Sequence, residues 1–223
     1  MALYVRSVYA VVCLSAAAAL AQQSKPATDP VPIVQPGAPG KPSKNLPPSA
    51  VNTTRIAAAP DVEFMQGMIL HHSQAVDMVD ILLKNGKDPA LRAFGIKISL
   101  SQTDEIKFMK QWLTDRGKAT TMDHATMMSM PGMKMDANGG MLMSGMLTKV
   151  QMDALAKAKG AECDRLFLTG MIQHHGGALT MVDDLMHTPG GGQDPVLFDF
   201  ATDIDNTQAA EIKLMRGMLE EKK

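Results

Sequence analysis

Residues Asp61 to Leu82, DVEFMQGMILHHSQAVDMVDIL, recur as Asp164 to Leu185, DRLFLTGMIQHHGGALTMVDDL, and nothing else in the chain limits its fold so tightly. The shift is 103 positions, and 12 of 22 residues are identical: Asp61/Asp164, Phe64/Phe167, Gly67/Gly170, Met68/Met171, Ile69/Ile172, His71/His174, His72/His175, Ala75/Ala178, Met78/Met181, Val79/Val182, Asp80/Asp183 and Leu82/Leu185. An internal repeat of this kind means one structural unit built twice.

In the first copy, Phe64, Met68, His71, Ala75, Met78 and Leu82 alternate at spacings of four and three. Met65, Ile69, His72, Val76, Val79 and Leu83 form the adjacent stripe. Together they predict a wide apolar face on one helix. Glu63, Gln66, Gln74, Asp77 and Lys84 are expected largely on the opposite side. Asn85-Gly86 is expected to end the helix with a residue that tolerates the left-handed conformation.

Asp88-Pro89 predicts the start of a second helix, with an N-cap followed by a residue suited to the first turn. Its seam reads Leu91, Phe94, Ile98, Gln102, Glu105, Met109 and Trp112. The second copy repeats the plan from Asp194-Pro195, with Leu197, Phe200, Ile204, Gln208, Glu211 and Met215. Two such hairpins predict an all-α four-helix bundle spanning 61–223. No stretch shows the alternation of a buried strand. Thr148 and Gln151 form a capping-box pattern for a short connecting helix, ended by Gly160.

Gln102, Glu105, Gln208, Glu211 and four histidines stand in an otherwise apolar seam, where polar groups are costly unless paired. Two explanations fit: a hydrogen-bond network, or a metal site. Four histidines in matched pairs, each with a methionine and a facing glutamate, favour the metal. Di-iron bundles use Glu-x-x-His, which is absent from this chain. Met68 and Met171 stand where that glutamate would be. Thioether and imidazole donors favour copper, Cu(I) above all. The glutamates are then ligands, or they orient the histidines.

Nine methionines lie between the halves: Met122, Met127, Met128, Met130, Met133, Met135, Met141, Met143 and Met146, with His124 among them. Gly, Ser, Asn, Asp and Pro interrupt them. The segment reads either as a lid over the bundle end or as a labile Cu(I)-collecting loop.

Upstream, Arg6, the apolar run Val8 to Leu20 and Ala19-Leu20-Ala21 read as a secretory signal over 1–21. Residues 22–60 hold nine of the thirteen prolines and read as a disordered tether. Loss of Cys13 with the signal leaves Cys163, read as a buried small side chain, with metal ligation or an intermolecular disulfide as alternatives. A formal charge of −1 and no basic tract argue against a nucleic-acid partner.

The segments FMQGMILHHSQAVDMV, QTDEIKFMKQWL, GMLTKVQMDALAKAKGAECDRLFLTGMIQHHGGALTMV and QAAEIKLMRGML resemble a bacterial exported domain-of-unknown-function family that includes CopM-like periplasmic copper-binding proteins. The resemblance covers about 61–219. It implies a ferritin-like bundle and copper binding at Met68, His71, His72, Glu105, Met109, Met171, His174, His175, Glu211 and Met215. Cys163 departs from it, standing where a bulky apolar residue is expected. The leading expectation is a non-enzymatic periplasmic copper carrier or buffer in copper homeostasis or resistance, whose partners are copper ions and other copper-handling proteins. A small metallo-oxidase and a metal-free structural bundle are the alternatives.

Overall fold

The computed structural model describes residues 33–35, 40–46, 56–129, 133–135 and 141–221. The expected signal, most of the expected tether and Met130 lie outside the described residues, as do the side chains of His124 and Met141. Two compact units separate between Thr53 and Thr54.

In the first unit, β1 (Ile33–Gln35) pairs antiparallel with β2 (Lys44–Leu46). This stretch was expected to be disordered. Proline favours extended backbone, and Gly40, at φ +80°, supplies a left-handed residue between the strands. Val34 is exposed and Leu46 half-buried.

The second unit is helical. Helix α1 (Ala59–Asn85) and α2 (Pro89–Asp115) form one hairpin, and α5 (Ala161–His187) and α6 (Pro195–Glu220) form the other. Helix α1 packs on α2, α5 on α6, and α1 against α5. Asp88 and Asp194 cap α2 and α6 as their sequence implies, each carboxylate accepting from two first-turn amides. The connection carries α3 (His124–Ser129), the ribbon β3 (Lys134–Met135) and β4 (Met141–Leu142), and α4 (Lys149–Lys157). Thr148 and Gln151 form the expected capping box on α4.

Three local expectations change. Gly86 is extended at φ −75°, not left-handed. The Asn85 carbonyl accepts from the Gly160 amide, and the Asn85 side chain donates to Ala156, so this turn is shaped by the α4–α5 junction. Glycine is needed there for space: a Cβ would lie 2.6 Å from Asp164 Oδ1. Gly160 does not end α4, which stops at Lys157; at φ +59° it is the N-cap of α5. Gln66 and Gln74 do not face solvent. Gln66 is buried and donates to the carbonyls of Ala119 and Thr121, while Gln74 holds Leu147.

The repeated aspartates cross between the hairpins. Asp61, on α1, accepts from the Gly192 amide in the α5–α6 turn. Asp164, on α5, accepts from the amides of Lys87 and Asp88 in the α1–α2 turn. Both carboxylates are buried, and each secures the turn of the other copy.

The apolar core falls into two clusters. One gathers Phe64, Met68, Met109, Trp112, Val182 and Leu197; the other gathers Val79, Leu91, Ile98, Phe167, Met171 and Met215. Along every long helix the residues between the two sets are the seam's polar ones: His71 and His72, Gln102 and Glu105, His174 and His175, Gln208 and Glu211. A polar layer therefore crosses the middle of the bundle. Cys163 is buried in the second cluster, and burial pushes its thiol pKa up, which suits an inert packing role.

Candidate metal centre

Adjacent histidines on a helix point about 100° apart, so each pair sends its two rings in different directions. His71 and His174 meet at the bundle centre with ring centroids 3.8 Å apart. His72 and His175 stand outside them, each 6.3 Å from its neighbour. Ring-to-ring contacts run in a row from His72 through His71 and His174 to His175. All four are buried.

A carboxylate closes each end. His72 Nε2 donates to Glu105 Oε2 at 2.5 Å, and His175 Nε2 donates to Glu211 Oε2 at 2.6 Å. Glu105 and Glu211 retain 22% and 17% of their side-chain exposure, so both ends of the row reach solvent. Ser101 also donates to Glu105. Burial pushes the Glu105 carboxyl up, but the hydrogen bond from His72, with that from Ser101, holds the group below the usual range.

The central histidines use main-chain acceptors. His71 Nε2 donates to the Ser144 carbonyl at 3.0 Å, and His174 Nε2 donates to the His71 carbonyl at 2.9 Å. Burial, with repulsion from His72, drives the His71 pKa down to about 3. Burial and repulsion from His71 drive that of His174 well below its ordinary value. Both rings are neutral at physiological pH.

These contacts fix the tautomer. In the neutral rings of His71 and His174, with Nε2 carrying the proton, Nδ1 carries a lone pair. All four Nδ1 atoms are buried without a hydrogen-bond partner among the described residues, as are the amide groups of Gln102 and Gln208. Buried polar groups of this kind call for an explanation. A neutral imidazole held through one nitrogen and open at the other is the form that binds a metal.

The remaining expected ligands divide. Met68 and Met109 are fully buried in one apolar cluster, and Met171 and Met215 in the other, so thioethers flank the polar layer on both sides. Among the described residues no three His, Cys, Asp or Glu side chains are grouped to hold a metal. In the connection, Met122 and Met143 are buried, Met127, Met133 and Met146 half-buried, and Met128 and Met135 exposed.

Sequence reasoning missed the roles of five residues: Ser144 through its carbonyl, Gln74, Gly177, and the crossed Asp61 and Asp164. A signal for two of them was present. Where the first copy reads His-His-Ser-Gln, the second reads His-His-Gly-Gly.

Comparison with known proteins identifies relatives of the same fold. A DUF305 protein from Streptomyces coelicolor shares the fold with a TM-score of 0.63 and 25% identity, over 73% of this chain and 93% of its own. CopM, solved with Cu(I) bound, superposes with a TM-score of 0.54 and 30% identity, over 72% of this chain and 96% of its own. CopM has also been solved with Cu(II) and with silver. An uncharacterized protein of Acanthamoeba polyphaga mimivirus is 36% identical over 56 residues, 25% of this chain, which spans only 37% of that relative. The profile of the domain of unknown function DUF305 matches residues 61–219, the whole of the duplicated bundle through most of α6, and the chain belongs to the DUF305 family.

Proposed function

We propose that this protein binds copper, principally Cu(I), as a carrier or buffer in copper homeostasis or resistance, in the periplasm or another compartment reached by export. The observation that carries the reading is the set of four buried imidazoles, each held through Nε2 with its Nδ1 unpartnered among the described residues. The donor set is imidazole plus thioether, which favours copper over iron or magnesium. Copper and silver bound to CopM, a structural relative, support the same choice. His71, His72, His174 and His175 would bind through Nδ1, with Met68, Met109, Met171 and Met215 as the thioether donors. Glu105 and Glu211 hold the outer rings in place through Nε2. The signal-like first 21 residues support export, and among the described residues no helix is long and apolar enough to cross a membrane.

Binding without turnover is the expected behaviour, so the protein is read as a non-enzyme. The test is a Cu(I) competition titration, read with native mass spectrometry, on the full mature chain and on the variant with His71, His72, His174 and His175 replaced by Ala. Loss of the tight copper class in the variant supports the proposal. Full copper retention by a folded variant overturns it. Oxygen consumption by the copper-loaded protein with a reductant would overturn the non-enzymatic reading.

A further inference from the structure

The two histidine pairs are equivalent in sequence and inequivalent in structure. His174 donates to a helix carbonyl, that of His71. His71 donates instead to Ser144, which belongs to the connection between the hairpins. No second copy of that connection exists, so the twofold relationship is broken at the centre of the row.

The segment Met143 to Leu147 crosses α1 and α5 at this level and is held on both. On α1, Gln74 donates to the Leu147 carbonyl at 3.0 Å and accepts from the Leu147 amide at 2.7 Å. On α5, Gln173 donates to the carbonyls of Gly145 and Met146. The side chains of Met143 and Leu147 are buried, one in each apolar cluster.

Contact with α5 is close enough to exclude a side chain. A Cβ on Gly177 would lie 2.0 Å from the Ser144 oxygen, and a Cβ on Gly145 would lie 2.5 Å from the Gly177 Cα. Gly145 is also at φ +75°. Gln74 and Gly177 occupy equivalent positions in the two copies, 103 residues apart. One residue ties the segment down and the other makes room for it. The divergence of the repeat at His-His-Ser-Gln and His-His-Gly-Gly follows from there being one strap for two copies.

We propose that Met143–Leu147 is a strap whose Ser144 carbonyl fixes the ring tautomer of His71, so that capture of a soft monovalent metal at the histidine row depends on the Met-rich connection. Ser144, Gln74 and Gly177 are positioning residues. With the strap in place, the His71 proton stays on Nε2 and the lone pair on Nδ1. With the strap lifted, His71 loses its acceptor and samples both tautomers, while His174 keeps its own. The dependence on metal rests on the copper reading above; the tautomer does not.

Gly177→Ala and its neighbour Gly176→Ala make a matched pair. Both place Ala in α5, where it is the better helix former. Gly176 has open space around its Cβ position, so only Gly177→Ala drives the strap off. Gln74→Ala removes the tie on α1 as an independent variant. In the metal-free protein, long-range 15N–1H spectra of the histidine rings should show wild-type and Gly176→Ala with His71 as a pure Nε2–H tautomer. Gly177→Ala and Gln74→Ala should show averaged His71 nitrogens with His174 unchanged. Retention of the wild-type His71 pattern in both would overturn the strap. Cu(I) competition should then give about tenfold weaker binding in Gly177→Ala than in Gly176→Ala. Equal affinities would overturn the coupling. A wild-type protein that takes up no Cu(I) would remove the copper reading and leave the ring spectra to decide the strap.

Discussion

His174 donates from Nε2 to the main-chain oxygen of His71, and the interval between them, 103 residues, is the shift that relates the two repeats. The first copy thus supplies an acceptor to the second, while His71 takes its own from Ser144. The central rings lie 3.8 Å apart and are buried, which neither could sustain as a cation.

Metal-free stability should therefore fall in mild acid. The folded-state pKa of His71 is depressed to about 3, while the unfolded chain protonates near 6.5. Between those values the unfolded state binds more protons, so stability declines as pH drops below about 6.5. The slope approaches about 1.4 kcal/mol per pH unit for each such histidine. His174 adds to it with the same sign. Glu105, whose folded pKa is lowered, adds a further loss as pH falls through the carboxylate range. Urea unfolding at pH 7.5, 6.0, 5.0 and 4.0 checks this; a flat profile from 7.5 to 5.0 would contradict it.

Copper should leave in two steps as pH falls. Protons compete for the imidazoles, and metal held there is released in acid. Thioethers do not protonate in water, so copper held by the exposed methionines of the connection, Met128 and Met135 among them, should survive. Deleting 122–142, which spares the strap, should abolish the acid-stable class. Cu(I) competition at neutral and acidic pH distinguishes the two populations.

Asp164→Ala should destabilise by about 1–3 kcal/mol, because two turn amides lose a buried acceptor. Asp61→Ala should act likewise through Gly192. Chemical denaturation would show a lower midpoint with an unchanged slope. Gly86→Ala should mimic Asp164→Ala, since its Cβ would displace the same carboxylate. An Asp164→Ala midpoint equal to wild type would refute the crossed tie.

A fragment beginning at Thr54 should keep the full helical signal and cooperative unfolding. Ala57 is buried in the core, so the cut belongs before it, not at Ala58. Circular dichroism during thermal melting compares the fragment with the mature chain.

Periodicity made the four long helices, their pairing and the polar layer legible in the sequence. The carboxylate partners of His72 and His175 were legible too, because Glu105 and Glu211 stood in matched seams. The partners of His71 and His174 were not. Both are main-chain oxygens, and a main-chain acceptor leaves no mark on residue identity. Gln66 and Gln74 were misplaced for a related reason. A glutamine on the polar side of a helix reads as solvent-facing until the segment it holds is known. Gly86 read as a cap that tolerates the left-handed conformation, yet it answers to a carboxylate 78 positions away in the other copy.

The polar layer also acts as a register key for assembly. Helices packed through continuous apolar seams can slide by a turn, about 5.4 Å, and still meet hydrocarbon with hydrocarbon. Here such a slip would press His, Gln and Glu side chains into Met, Leu and Phe. Each stranded polar group would cost about 1–3 kcal/mol. With eight such residues spread over four helices, misaligned bundles are penalised many times over. The same side chains that would hold a metal already tell each hairpin where along its partner to stop.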